Sequence, residues 1–365
     1  MPLGSTIGRR APLMGIAVVC LLVSACGTDP VVPTAPSFPI IPAHLSAVPV
    51  PSGNPLTPVK VDLGRRLFYD KRLSSTGTVA CASCHRPEKA FSDAPNQVSR
   101  GVNSALGQRN APGLINIAYR HAFFWDGRAA SLEDQAMMAF LGSTEMDADT
   151  FAVATLMRSA AYRDAWTASF GDTAVTMRRV MMAIASFERT LVSANSRYDR
   201  YLLGEKNVLS DQERRGMQLF FSAKTMCGAC HGGQDLTNDQ YQNVGLFNHY
   251  FDRGRFNVTK DPRDEGLFRT PSLRNVALTP PYMASGDSDK GPLTTLEQVV
   301  AHYNDGGTPF NNKDKRVRKL GLTDAEMADI VAFMKALTDS STVNRAEWLA
   351  PYRHCNDNVP TVAHE

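Results

Sequence analysis

The chain has 365 residues, 43% of them hydrophobic, with a formal charge of +3. That length and apolar content suit two globular domains of ordinary size. With Arg9 and Arg10 supplying part of the charge near the start, the remainder is almost neutral and has no basic field for a nucleic-acid partner.

From Gly8 the sequence reads GRRAPLMGIAVVCLLVSAC: a basic start, an apolar run from Leu13 to Val23, and a small-residue ending at Ser24 and Ala25. The run is too short for a permanent membrane span and has the build of a secretory signal over residues 1–25. Cys26 directly follows LVSA, an order that resembles a bacterial lipoprotein signal whose cysteine becomes the lipidated first residue; an ordinary cut at Ala25 is the alternative. Either implies export, to the periplasm, with the membrane involved only through an N-terminal lipid. Residues 26–58 are proline-rich without a helical period and are expected to form an extended, solvated tether.

An exported chain ordinarily pairs its cysteines as disulfides, but the spacing of four of them points elsewhere. VACASCHRPEKAF (79–91) and TMCGACHGG (225–233) each contain C-x-x-C-H. This is the attachment signature of haem c: both thiols become thioethers on the porphyrin vinyls, and the adjacent histidine ligates the iron. Cys81, Cys84 and His85 would hold one haem, and Cys227, Cys230 and His231 a second. Zinc would need further ligands, and a redox dithiol would not need the histidines. Cys355 is left as a free thiol with no assigned role.

Beyond the tether the sequence repeats itself. LGRRLFYD (63–70) precedes the first haem motif and RGMQLFFS (215–222) the second; RNAPGLINIA from Arg109 answers RTPSLRNVA from Arg269; SLEDQ from Ser131 answers TLEQ from Thr295. Such a duplication implies two similar domains with one haem each, over residues 59–203 and 204–340, with 341–365 as a tail. Met177, Met181, Ile184, Glu188 and Leu191 fall at helical spacing, while Ser210 with Glu213 and Thr323 with Glu326 form capping boxes. Met327, Ile330, Val331 and Met334 line one face of the last helix, so these methionines are expected in the core and not on iron. Strand-like alternation is scarce. The expected fold class is therefore mainly α: two cytochrome c-like haem domains, long loops and little strand.

Two C-x-x-C-H domains accompanied by FFWDGRAASLEDQA, RTPSLRNVALTPPYM and FERTLVSANSRYDRYL resemble the bacterial di-haem cytochrome c peroxidases, over roughly 56–338. The resemblance implies a peroxidatic N-terminal haem, an electron-transferring C-terminal haem and a calcium ion between them. The family includes the methylamine-utilisation enzyme MauG, which oxidises a protein partner. Glu145, in GSTEMDA, matches the family's distal acid, the group that takes a proton from peroxide and returns one to the leaving oxygen; Gln135 matches its amide neighbour. Trp125 matches the tryptophan between the haems, a relay for electrons or holes. Asn110, Thr279 and Pro281 match the oxygen ligands of calcium. Glu133 and Asp134 are read as helix N-terminal charges favoured by the dipole.

Many relatives carry a histidine in the loop after the first haem motif that closes the iron's sixth position. Here that loop, SDAPNQVSRGVNSALGQRN (92–110), contains none. The first iron is thus expected to be open, with His121, the nearest alternative, read as a surface or core residue. For the second iron, Leu296, Val299, Val300 and Tyr303 recur at i, i+3, i+4 and i+7, which puts Tyr303 on a buried stripe with His302 about a third of a turn away. The residue matching Tyr303 is methionine in many of the peroxidases and tyrosine in MauG. A phenolate favours ferric and more oxidised iron; an ordinary buried aromatic is the alternative. After PYM the family usually has a histidine, where this chain has Ala284.

Three functions are compatible with these residues. One is a peroxidase that reduces hydrogen peroxide and is fed by a small redox protein, a cytochrome c or a cupredoxin. Another is a MauG-like oxidase that uses peroxide to modify aromatic residues of a partner protein. The third is an electron carrier without catalysis. Unequal axial environments at the two irons favour an enzyme.

Overall fold

The computed structural model describes residues 41–343 and 345–351; the signal segment, Cys26 and Cys355 lie outside them. The helices in chain order are α1 (Pro58–Tyr69), α2 (Cys81–Cys84), α3 (Leu132–Leu141), α4 (Thr150–Arg158), α5 (Arg163–Phe170), α6 (Met177–Glu188), α7 (Arg197–Leu202), α8 (Asp211–Phe220), α9 (Phe256–Thr259), α10 (Leu296–Asp305) and α11 (Asp324–Ala336). Strand is limited among the described residues to β1 (Tyr241–Gln242) and β2 (Phe268–Arg269), an antiparallel pair. Both capping boxes form: Ser210 Oγ accepts from the Glu213 N–H at 3.2 Å, and Thr323 Oγ1 from the Glu326 N–H at 3.2 Å.

The duplication is visible in the packing. Within the first half α1 crosses α6 at Gly64, where a β-carbon would overlap the Ala183 carbonyl; within the second α8 crosses α11 at Gly216, where it would overlap the Asp329 carbonyl. Four residues after each glycine an aromatic ring takes the same edge-on contact: Phe68 on Phe187 at 5.2 Å and 61°, Phe220 on Phe333 at 5.3 Å and 61°. Two separate apolar cores gather around these pairs. A second matched device holds the loops. Asn116 and Asn275 are fully buried in the left-handed region, with φ of 58° and 59°. The Asn116 N–H donates to Leu191 O at 2.8 Å while its Oδ1 accepts from the Ser193 N–H at 2.7 Å. The Asn275 N–H donates to Leu337 O at 3.0 Å while its Oδ1 accepts from the Asp339 N–H at 2.8 Å.

One expectation needs correction, and two other segments gain partners that lie far away in sequence. Residues 41–57, assigned to a solvated tether, pack on the body: Leu45 is buried with Val192 and Ala194, and His44 Nε2 lies 2.8 Å from Asp199 Oδ1. Prolines denied these residues a helical period, but burial needs only single apolar side chains. The tail beginning at 341 returns to the first half, where Trp348 is 2% exposed, stands edge-on to Phe91 at 6.0 Å, and accepts the Tyr69 hydroxyl on its carbonyl at 2.6 Å. Glu133 does stand in the first turn of α3. It is buried in a two-pronged pair with Arg189, at 2.9 and 3.0 Å.

Between the halves runs a buried chain of ion pairs. Arg120 meets Asp235 and Asp239, Arg269 reaches Asp239 at 3.0 Å, and Arg274 reaches Asp199 at 2.9 Å. Because each charge has an opposite within contact, the seam can be polar and still be buried.

The helix crossings give a direct test of this architecture. Gly64→Val and Gly216→Val should each cost about 3 kcal/mol of unfolding free energy, since a backbone carbonyl cannot move aside as a side chain can. Gly53→Ala, where a β-carbon meets nothing within 4 Å, should stay within about 0.5 kcal/mol. Urea unfolding followed by circular dichroism measures all three.

Candidate haem sites

Each C-x-x-C-H segment is a single short turn. In the first, α2 brings Cys81 and Cys84 onto one side, and the His85 N–H bonds to Cys81 O at 3.0 Å. In the second, Cys227–Ala229 forms a 3-10 turn, and the His231 N–H bonds to Cys227 O at 2.8 Å. Both imidazoles are oriented in the same way: His85 Nδ1 donates to Phe91 O at 2.8 Å and His231 Nδ1 to Leu236 O at 3.3 Å. Tying Nδ1 to a carbonyl leaves Nε2 as the free lone pair, the tautomer an iron ligand requires. Burial pushes both histidines toward the neutral form, His231 down to about 4. It also pushes all four thiols up, Cys84 to about 11. Unpaired, protonated, half-buried thiols beside a neutral imidazole fit covalent haem c, and the four cysteines are free of disulfides.

The second motif faces a large cavity. Cys227, Cys230, His231 and Tyr303 line it, with Leu296, Val299, Val300 and Met334 as apolar walls and Trp125 and Asn110 at its border with the first half. Tyr303 therefore shares one interior space with the second motif, and burial raises its phenol above the ordinary tyrosine value. His302 does not look into that space. It too is buried, because the loop around Val244 covers its face of α10, and its Nε2 lies 3.0 Å from Val244 O. Helix α10 is thus covered on two faces, where its sequence period marked one.

Around the first motif the loop without histidine is tied to the segment carrying Glu145. The Val102 N–H donates to Glu145 O at 2.9 Å, and the Glu145 N–H donates to Gly142 O at 2.9 Å, folding the chain back over the end of α3. Gly142 leaves room for the carboxyl, since a β-carbon there would stand 2.6 Å from Oε2. Glu145 is half-buried and lies near enough to Cys81 and Cys84 to raise both thiols; its own carboxyl is raised by burial, with Arg128 opposing. Gln135 sits half-buried on α3. His121 is on the surface, 91% exposed in its side chain, beside Asp239.

A comparison of α3 with α10 shows a feature the sequence reading did not extract. Both helices run for ten residues from matching caps, Ser131 accepting from the Asp134 N–H and Thr295 from the Gln298 N–H. Counted from the caps, the position of Tyr303 in the second half is occupied in the first by Ala139. The signal was available as one alignment step: SLEDQ matched to TLEQ by its cap, without a gap.

Trp125 is buried at the seam. Its Nε1 donates to Asn110 O at 2.8 Å, and its carbonyl accepts from the Arg269 N–H at 2.8 Å. Asn110 is held from the other half: its N–H donates to Ala284 O at 2.9 Å and its Nδ2 to Pro281 O at 2.9 Å. Of the three expected calcium ligands, two are thus bonded to each other, donor to acceptor, and Thr279 Oγ1 donates to Val276 O at 3.1 Å. The three residues thus meet at the seam in a hydrogen-bonded clasp. Ala284, in the place of the family's histidine, supplies its carbonyl to the same clasp.

Replacing Cys227 and Cys230 together by alanine should reduce covalently bound haem from two per chain to one, as measured by pyridine haemochrome after acid–acetone extraction. The same pair of changes at Cys81 and Cys84 should do likewise.

Known proteins share this arrangement. Residues 58–207 match the family model for di-haem cytochrome c peroxidase, and residues 214–338 match that for cytochrome c. The methylamine utilization protein MauG of Methylophilus methylotrophus is 34% identical, over 80% of this chain and 86% of its own length. Cytochrome-c peroxidase IdrP1 of Denitromonas iodatirespirans is 36% identical over 89% of this chain and 92% of its own. Among solved structures, a MauG-like protein associated with microbial copper homeostasis superimposes with a TM-score of 0.80 at 34% identity, covering 86% of this chain and 98% of that one. With two haem c attachment segments on duplicated helical frames, and relatives matched over most of its length, the chain belongs to the di-haem cytochrome c peroxidase family.

Proposed function

We propose that the protein reduces hydrogen peroxide to water at its first haem, with electrons supplied or shared by a second haem whose iron is ligated by His231 and Tyr303. The observation that carries this reading is the inequality of matched positions: Tyr303 looks into the second cavity, whereas its counterpart in the first half is Ala139, with the Glu145 carboxyl folded nearby. When bound, haem c supplies the iron that accepts an oxygen ligand and passes single electrons. Over the whole reaction H2O2, two electrons and two protons give two waters.

The side chains govern binding and protons. Glu145, whose burial favours the protonated form, can take a proton from one peroxide oxygen and deliver it to the other, so that the leaving group departs as water. Gln135 offers an uncharged amide to orient peroxide. Trp125, fixed at both its Nε1 and its carbonyl, spans the seam as a rigid indole for electron or hole transfer. No step depends on calcium at Asn110, Thr279 and Pro281. The electron donor in this reading is a small redox protein, a cytochrome c or cupredoxin, in the periplasm. Export rests on the N-terminal signal pattern with lipidation at Cys26; among the described residues no helix is long and apolar enough to cross a membrane.

Tyr303 favours a second reading. A phenolate ligand stabilises oxidised iron, as suits an enzyme that passes oxidising equivalents through Trp125 to aromatic residues of a partner protein, in the manner of a MauG-like oxidase. Fast steady turnover of a reduced donor with peroxide supports the first reading. Slow turnover, with an oxidised state that persists until a protein partner is added, supports the second.

Glu145→Gln should slow the reaction with peroxide about 100- to 10,000-fold in stopped-flow absorption. The pH dependence has a definite sign. The carboxylate that accepts the proton is lost as pH falls through a value above the ordinary glutamate range, so the wild-type rate should decline on the acid side and the variant should lose that limb. An unchanged rate and profile in the variant would remove Glu145 from the proton path, and no reaction with peroxide in either protein would leave only the electron carrier.

A further inference from the structure

The last described segment, residues 345–351, reaches the first haem site from the far end of the chain. Ala346–Trp348 forms one 3-10 turn, and α1 anchors it. Arg65 Nη1 donates to Ala346 O and to Leu349 O, each at 3.4 Å, and the Tyr69 hydroxyl donates to Trp348 O at 2.6 Å. The Arg345 guanidinium lies over the indole at 4.5 Å. So held, Trp348 is 2% exposed and stands edge-on to Phe91, with 6.0 Å between centroids and 73° between planes.

Phe91 is the residue whose carbonyl accepts from His85 Nδ1 at 2.8 Å. It aims that carbonyl from the left-handed region, at φ 57°, next to Ala90 at 51°. A side chain makes this conformation costly, and it persists only where the surroundings enforce it. Three rings do so: Phe68 at 6.0 Å, Phe187 at 6.5 Å and Trp348 at 6.0 Å. The first two belong to the helix crossing that the halves share, whereas Trp348 is brought by the tail. In the second half the acceptor is Leu236, also left-handed at φ 51°, which offers no ring for such a contact. Its bonds are longer. His231 Nδ1 reaches Leu236 O at 3.3 Å, and the Leu236 N–H reaches Gly233 O at 3.3 Å, whereas the Phe91 N–H donates to Arg86 O at 2.8 Å. An imidazole that gives its Nδ1 proton to a closer acceptor is a more basic ligand through Nε2 and favours the oxidised metal.

We propose that Trp348 is a positioning residue of the first haem: by holding Phe91 in its left-handed conformation it keeps the His85 hydrogen bond short, and so keeps the first iron's potential low. The tail acts on the iron only through Phe91 and His85. The inference rests on haem attachment at Cys81 and Cys84 with His85 as ligand and not on any reaction with peroxide, so it and the proposed reaction can fail separately.

The test uses the full-length, haem-loaded protein. A redox titration followed by visible absorption gives the midpoint potential of the first haem, and resonance Raman scattering of the reduced protein gives the iron-histidine stretch, which falls as the Nδ1 hydrogen bond weakens. Trp348→Leu should raise the potential and lower the stretch, and Trp348→Phe, which keeps a ring edge against Phe91, should restore most of both. Trp166→Leu is the control for general loosening: that ring is 1% exposed in the same core but packs on Phe170 at 4.8 Å, and its loss should move neither value. Either quantity unchanged in Trp348→Leu, or an equal shift in Trp166→Leu, would make Trp348 a mere space-filler and overturn the proposal. Should Trp348→Leu fail to fold, Tyr69→Phe decides, since it releases the Trp348 carbonyl and keeps every ring: a shift of both values in the same direction supports the proposal, and no shift overturns it.

Discussion

Two backbone-to-backbone contacts underlie the rest of the structure: α1 on α6 at Gly64, and α8 on α11 at Gly216. A side chain at either glycine would drive the helices apart, and with them the edge-on rings of Phe68 with Phe187 and Phe220 with Phe333. Phe91 packs on that first ring pair, and its carbonyl sets the tautomer of His85. In the second half Leu236, in the core built around Phe220 and Phe333, does the same for His231. The histidine side of both haem sites is therefore one design used twice. Close helix approach, ring packing and ligand orientation form one mechanical chain.

The two halves differ at a matched helix position. From equivalent caps, α10 reaches Tyr303 where α3 has Ala139. The first half fills that region with a loop instead, folded back after Gly142 so that Glu145 stands near the first thiols. A duplicated frame thus carries different side chains at matched positions without any change in topology. Between them, Trp125 and Asn110 are bonded across the seam, so that the one indole at the border is held rigidly by both halves.

Much of this could be read from the residues. C-x-x-C-H is a covalent requirement and survives any change of context, which is why Cys81, Cys84, Cys227 and Cys230 needed no structure. Capping boxes at Ser210 and Thr323 are local, and local rules were obeyed. What escaped was long-range. Glu133 is a helix-end charge as its position implies, but its buried partner Arg189 lies 56 residues away. Nothing near His44 or Trp348 in sequence announces Asp199 or Phe91, and the proline-rich composition around His44 argues for solvent. His302 was hidden from view because helical period describes one face, whereas burial of a second depends on which loop crosses it.

The central claim is one of unequal coordination, with an exchangeable position at the first iron and a tyrosine oxygen on the second. Electron paramagnetic resonance of the resting ferric protein addresses it most directly. The spectrum should contain an axial high-spin signal from the first haem, converted by added cyanide, beside a low-spin signal from the second that cyanide leaves alone and that changes in Tyr303→Phe. Two low-spin signals, both unaffected by cyanide, would show protein ligands on both faces of each iron and would contradict the account.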